Sequence, residues 1–208
     1  NNTLFFTFQT QPEELKKLLG QTKGDLVVME ACAVTGWSHD VCVDEGFNVL
    51  VANPSQEAWS WKHVKRKTDK DDALKLAKLA ALEQIVPVYV PSAESRQYRQ
   101  LVKYRKRVVG QVTRVQNQIR AIFVHQGISI PTGNRAWTVE GLKKLGEYRK
   151  VLSQCDRKEL WRGQLDLALT ALDTLWEELH QVDTHLTQIA KSDERVQFLE
   201  SIPGVGRR

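Results

Sequence analysis

Val108, Val112, Val115, Ile119 and Ile122 stand four, three, four and three residues apart, and Leu172, Leu175, Leu179, Val182, Leu186 and Ile189 repeat the rhythm. Apolar residues at this spacing form a seam along a long α-helix, and a seam is stable only when another helix covers it. Pro131, Gly133 and Gly141 lie between the two runs and interrupt any continuous helix. The pattern therefore predicts two long helices folded back on each other as an antiparallel coiled-coil arm. The seams alone leave open whether they pair within one chain or between two. Residues 126–160 read as a tip of short helices and loops. There Thr138 caps a helix from Val139 to Leu145, and Trp137 and Trp161 sit in the core at the arm's end.

The first half of the chain has a different grammar. Leu4–Thr10 is β-rich, and Gln11-Pro-Glu-Glu opens a helix to about Leu19 with Pro12 in its first turn. Asp25–Glu30 reads as a short buried strand ending in a carboxylate, and a loop at 31–36 leads into a helix to about Glu45. Gly46–Ala52 is a further strand, stopped by Asn53-Pro54. Strand and helix alternating in this way predict an α/β unit with a partly parallel sheet. Sites in such sheets collect at the carboxyl ends of the strands. Glu30 is at one such end, and the loop after Ala52 leads from the other to a second acidic element.

That element is Lys65-Arg-Lys-Thr-Asp-Lys-Asp-Asp-Ala-Leu74. Thr68 or Asp69 is an N-cap for the helical run Ala73–Glu83, and Asp69 and Asp72, three apart, fit one helix face. In one reading these acids merely favour the helix dipole. In the other, Glu30, Asp69 and Asp72 converge and bind Mg²⁺ or Mn²⁺, which offsets their mutual repulsion. Lys65, Arg66 and Lys67 would then hold a phosphate backbone beside them. The upstream strands favour the second reading. Trp59 and Trp61, before the basic cluster, either stack on bases or pack under the domain edge, and His63 has no partner at ligand spacing.

Charge is distributed unevenly. The net charge is +5 and the pI about 9.1, a mild excess that points weakly to a polyanionic partner. The window from Ser95 to Arg120 contains no acid but carries Arg96, Arg99, Lys103, Arg105, Lys106, Arg107, Arg114 and Arg120. The second seam helix carries Asp166, Asp173, Glu177, Glu178 and Asp183. Some of these acids can pair across the arm, but eight cations exceed what they can neutralise. Part of the first helix, at Arg99, Lys103, Arg105, Lys106, Arg107 and Arg114, is expected to contact DNA or RNA. Ile202-Pro-Gly-Val-Gly206 resembles the opening of a helix-hairpin-helix turn, in which Gly204 and Gly206 let backbone N–H groups approach a phosphate. No apolar run approaches a membrane span. The amino-terminal residues lack the pattern of a signal peptide, and the widely spaced Cys32, Cys42 and Cys155 suit a reducing cytosol.

Three stretches together resemble the DEDD transposases of bacterial insertion sequences. They are Leu26–Glu30 with its small-residue loop to Gly36, Phe47–Pro54, and Lys67-Thr-Asp-Lys-Asp-Asp-Ala73. The Ile202–Gly206 turn after a helical arm adds to the match. The resemblance implies an RNase H-like (RuvC-like) domain over 1–93, lacking its first strands, and a basic coiled-coil arm over 94–194. Residues 195–208 would be the start of a carboxyl-terminal transposase domain. It implies that Glu30, Asp69 and Asp72 are the second, third and fourth acids of a catalytic tetrad. The first acid would lie upstream and a serine implicated in strand exchange downstream, which makes the chain an internal fragment that binds nucleic acid without catalysis. It further implies Mg²⁺- or Mn²⁺-dependent cleavage and strand transfer on DNA, a structured guide RNA, and a bacterial cytoplasmic protein associated with the nucleoid when bound to DNA. Self-association through the arm is expected as well. Two other readings compete: a RuvC-type junction nuclease, and a non-catalytic coiled-coil module for dimerisation or nucleic-acid binding.

Overall fold

A computed structural model of the chain describes residues 4–22, 24–55 and 68–205. The chain divides into two compact units, residues 1–97 and 98–208.

In the first unit, α1 (Pro12–Gln21) starts on Pro12, whose fixed φ suits the first helical turn. It is followed by β1 (Leu26–Glu30), α2 (Thr35–Asp44) and β2 (Asn48–Ala52). β1 and β2 pair in parallel, with Leu26 opposite Asn48 and Glu30 opposite Ala52, so the expected parallel α/β element is present. Alternation gives each strand two faces. Val27, Met29 and Val49 pack with Leu15 and Leu19 of α1 and with Val41 and Cys42 of α2. Leu26 and Val28, on the opposite face of β1, line an open groove together with Ala73, Leu76, Ala77 and Ala80 of α3 (Asp69–Ala81). Val88 N–H donates to the Val51 carbonyl beside β2 at 2.8 Å.

One expected strand does not form. Leu4–Phe8 has β-favouring residues but no ladder, and Leu4, Phe5, Phe6 and Phe8 are exposed. A strand is stable only through hydrogen bonds to a neighbour. Among the described residues β1 and β2 pair with each other, and nothing pairs with this stretch.

The second unit is built on two 33-residue helices. α4 (Ala93–His125) begins within the first unit, and α6 (Leu160–Ser192) follows a tip containing α5 (Val139–Gly146). Thr138 caps α5 as expected, accepting the Gly141 N–H at 3.2 Å. Arg105 of α4 meets Asp183 of α6, whereas Phe123 of α4 meets Trp161, so the two helices run in opposite directions. The predicted seam residues do face inward: Val108, Ile119 and Leu172 have no exposed surface, and Val112 and Val182 are buried. The core broadens towards the tip, where Phe123 sits edge-on to Tyr148 (5.4 Å) and Trp161 (6.2 Å). Trp137 and Trp161 pack against this core, as their positions suggested. Gly141 is required there, because a Cβ would lie 2.3 Å from the Arg135 carbonyl oxygen. α7 (Glu194–Glu200) ends the described helices, and Gly204 follows in a turn at φ +85°. No helix among the described residues is long and apolar enough to cross a membrane.

Candidate active site and nucleic-acid interface

Glu30 closes β1, and the loop after it is fixed by Thr35, the first residue of α2. The Thr35 hydroxyl accepts the Cys32 N–H at 2.7 Å and donates to the Glu30 carbonyl oxygen at 3.2 Å. Thr35 is buried, and its hydroxyl satisfies backbone groups of a loop that is otherwise partly exposed. At the next residue, Gly36, a Cβ would stand 2.7 Å from Arg96 Nε, so any larger residue would displace that side chain. Arg96 lies across that glycine, donates to the Pro91 carbonyl at 2.6 Å and pairs with Asp40. Burial opposes ionisation of Asp40, but the Arg96 guanidinium, with His39 beside it, outweighs this and holds the carboxyl below its ordinary pKa. Thr35 was not singled out from the sequence, and Arg96 was named only among the cations of the acid-free window. The short Ala-Cys-Ala-Val-Thr-Gly loop after a strand-end acid was the available signal for the first of them.

The second acidic element divides its three aspartates by role. Thr68, not Asp69, is the N-cap: its hydroxyl accepts the Asp71 N–H at 3.3 Å and donates to Asp71 Oδ2 at 2.6 Å. This reciprocal cap occupies Asp71. At about 100° per residue, Asp69 shares the α3 face of Ala73, Leu76, Ala77 and Ala80, and Asp72 lies at its margin, with Asp71 on the far side. That is the face that lines a groove with Leu26 and Val28, and by alternation Glu30 continues the same face of β1. Three carboxylates are a hard-oxygen donor set suited to Mg²⁺ or Mn²⁺. Their positions do not yet form a shell: among the described residues no group of three His, Cys, Asp or Glu side chains is disposed to hold a metal ion. A cavity of about 650 Å³ between α1, α2 and β1 reaches Glu30 and Thr35, but its walls are mainly apolar, including Leu15, Leu19, Val27 and Trp37.

In the second unit the basic helix separates into internal and external cations. Arg105 turns towards α6 and holds Asp183 through two bonds, at 2.5 and 3.2 Å. The Asp183 carboxylate stabilises its charge further, against a smaller cost of burial. Arg120 donates to the Pro131 and Gly133 carbonyls at 3.3 and 2.5 Å and lies over the Trp137 ring. Both therefore hold the fold together. Asp166 pairs with Arg149 of the tip, so it does not neutralise α4. Arg99, Lys103, Lys106, Arg107 and Arg114 are exposed, and among the described residues none has an acidic partner. Such a surface attracts phosphates. Gly204 has the positive φ that a phosphate-binding hairpin turn would use. Lys65, Arg66, Lys67 and Gly206, together with Trp59, Trp61 and His63, lie outside the described residues.

A family model described as a transposase, of the IS110 DEDD type, matches residues 2–126. The chain is 24% identical over 211 residues to the transposase for insertion sequence element IS1111A of Coxiella burnetii, an alignment covering 98% of the chain and 54% of that protein. It is 32% identical over 81 residues to y4qE of Sinorhizobium fredii, a candidate transposase by its description, across 39% of the chain and 20% of that protein. The chain thus spans about half the length of the first relative and a fifth of the second.

Proposed function

The chain belongs to the IS110-type DEDD transposases, and on that premise we propose that it carries the acids and the DNA-holding surface of an enzyme that cuts and rejoins DNA at an insertion sequence. The acids are Glu30, Asp69 and Asp72. The observation that carries this reading is a shared groove: it is lined by the side of β1 that Glu30 continues by alternation and by the α3 face that Asp69 shares by helical phase. A bound Mg²⁺ or Mn²⁺ would be held by these three and would supply positive charge at the scissile phosphate. Thr35 fixes the backbone that presents Glu30, and Thr68 aligns the first turn of α3 while keeping Asp71 engaged. As placed, the acids have still to draw together, so convergence on cation binding is part of the proposal.

The first unit is proposed to be RNase H-like over residues 1–93, with a coiled-coil arm over 94–194 and a carboxyl-terminal domain opening at 195–208. Arg99, Lys103, Lys106, Arg107 and Arg114 hold phosphates, aided by Lys65, Arg66, Lys67 and the Gly204–Gly206 turn. Arg105 supports the arm that presents them. A guide RNA and self-association belong to the same proposal. With the seams covered inside one chain, a second copy meets the arm on its outer faces. The protein acts with bacterial DNA in the cytoplasm.

The family pattern calls for four acids and Glu30, Asp69 and Asp72 are three, so the 208 residues are proposed to bind nucleic acid without cutting it. Mobility-shift and nicking assays with Mg²⁺ test both halves. Binding without nicking is expected. Metal-dependent nicking lost in Asp69→Ala overturns the inactivity, and failure to bind any nucleic acid overturns the interface.

A further inference from the structure

The exposed cations of α4 are ordered around the helix as well as along it. At about 100° per residue, Arg99, Lys103, Lys106, Arg107 and Arg114 fall within an arc of roughly 100°, on the opposite side from Val108, Val112, Val115, Ile119 and Ile122. The stripe is about 22 Å long at about 1.5 Å per residue. About three-quarters of the way along it, and near the middle of its arc, stands Gly110.

This glycine lacks an internal cause. It is exposed, lies within α4, and has no positive φ. A Cβ there would meet nothing within 4 Å. Gly163 differs: its Cβ would come within 2.8 Å of the Leu152 Cα, so packing explains that residue. A helix-interior glycine weakens the helix relative to alanine. At position 110 that weakening brings no contact or turn among the described residues. Arg107, one turn before it, rests over the Tyr104 ring at 4.8 Å, which restrains its guanidinium on the stripe.

We propose that Gly110 marks where α4 sits deepest in the major groove of duplex DNA, with Lys106, Arg107 and Arg114 holding the phosphates around it. The inference rests on the phosphate-holding role proposed above for this helix and adds its register. DNA is the occupant chosen because a major groove about 12 Å wide admits a helix with cations along both edges of one face, whereas the major groove of A-form RNA is too narrow. With no side chain at 110, the helix enters the groove deeper by about the depth of one side chain, and the flanking cations reach phosphates on either side.

Fluorescence anisotropy with a short duplex DNA of random sequence, using the full 208-residue chain over a chloride series, tests this. Gly110→Leu is expected to bind about tenfold more weakly, with the salt slope lowered by about one to two. Gly110→Ala is expected to weaken binding by a smaller factor while melting at a higher temperature. That opposition of signs separates a contact role from a folding role. If the wild type binds and Arg107→Ala with Arg114→Ala weakens it, but both Gly110 variants bind as the wild type does, the register is overturned and the interface survives. A matched RNA duplex that binds more tightly overturns DNA as the occupant. If the wild type binds no duplex at all, the proposed interface fails, and this inference with it.

Discussion

Replacing Thr35 by valine tests how the strand-end acid is held. Valine keeps the branched shape and removes the hydroxyl. The Cys32 N–H then loses its 2.7 Å acceptor and the Glu30 carbonyl its 3.2 Å donor, at a part-buried site beside the buried Thr35. A buried polar group left unpaired costs about 1–3 kcal/mol, and the added methyl returns less than about 1 kcal/mol through burial. The net loss is about 2 kcal/mol, or a fall in melting temperature on the order of 10 °C for a unit of this size. Thr35→Ser, which keeps the hydroxyl, should lose less than half as much. Urea unfolding followed by circular dichroism measures both. A Thr35→Val variant within about 0.5 kcal/mol of wild type, or a serine variant equally destabilised, would refute the reasoning, because the hydroxyl would then not be what holds the loop.

Glu83 ends α3 at φ +54°, with its N–H bonded to the Ala80 carbonyl and the Gln84 N–H to that of Leu79. This closing turn favours glycine, so Glu83→Gly should stabilise by about 1 kcal/mol in thermal unfolding. Phe123→Ala should cost about 4 kcal/mol, since it empties a fully buried position beside Tyr148 and Trp161; a loss under about 2 kcal/mol would contradict that packing. Asp40 has a depressed carboxyl pKa, so its pairing with Arg96 stabilises fully above about pH 4 and is lost as pH falls through the lower folded value. Asp40→Asn should therefore show a shallower acid transition, with a neutral-pH cost under about 1 kcal/mol because the pair is partly exposed.

What could be read from the sequence was what local pattern encodes. The short continuous apolar runs gave β1 and β2, and the three-four spacing gave the buried faces of α4 and α6. The same helical phase separates Arg105 from its neighbours, placing it towards α6, although charge alone grouped them together. Contacts between distant positions were not legible. Nothing near Asp40 announces Arg96, fifty-six positions away, and Gly36 looks like any loop glycine until Arg96 is seen lying across it. Leu4–Phe8 shows the reverse failure. Its composition favours a strand, but propensity cannot supply the neighbouring ladder.

The account depends most on Glu30, Asp69 and Asp72 acting as one cation-binding group. Mn²⁺ titration followed by electron paramagnetic resonance measures this directly on the chain. The account predicts one weak site, in the millimolar range expected of an incomplete carboxylate set. That site should vanish in Glu30→Gln, Asp69→Asn and Asp72→Asn and persist in Asp71→Asn, whose carboxylate belongs to the Thr68 cap. Equal binding by all four variants and the wild type, or loss in Asp71→Asn alone, would contradict it.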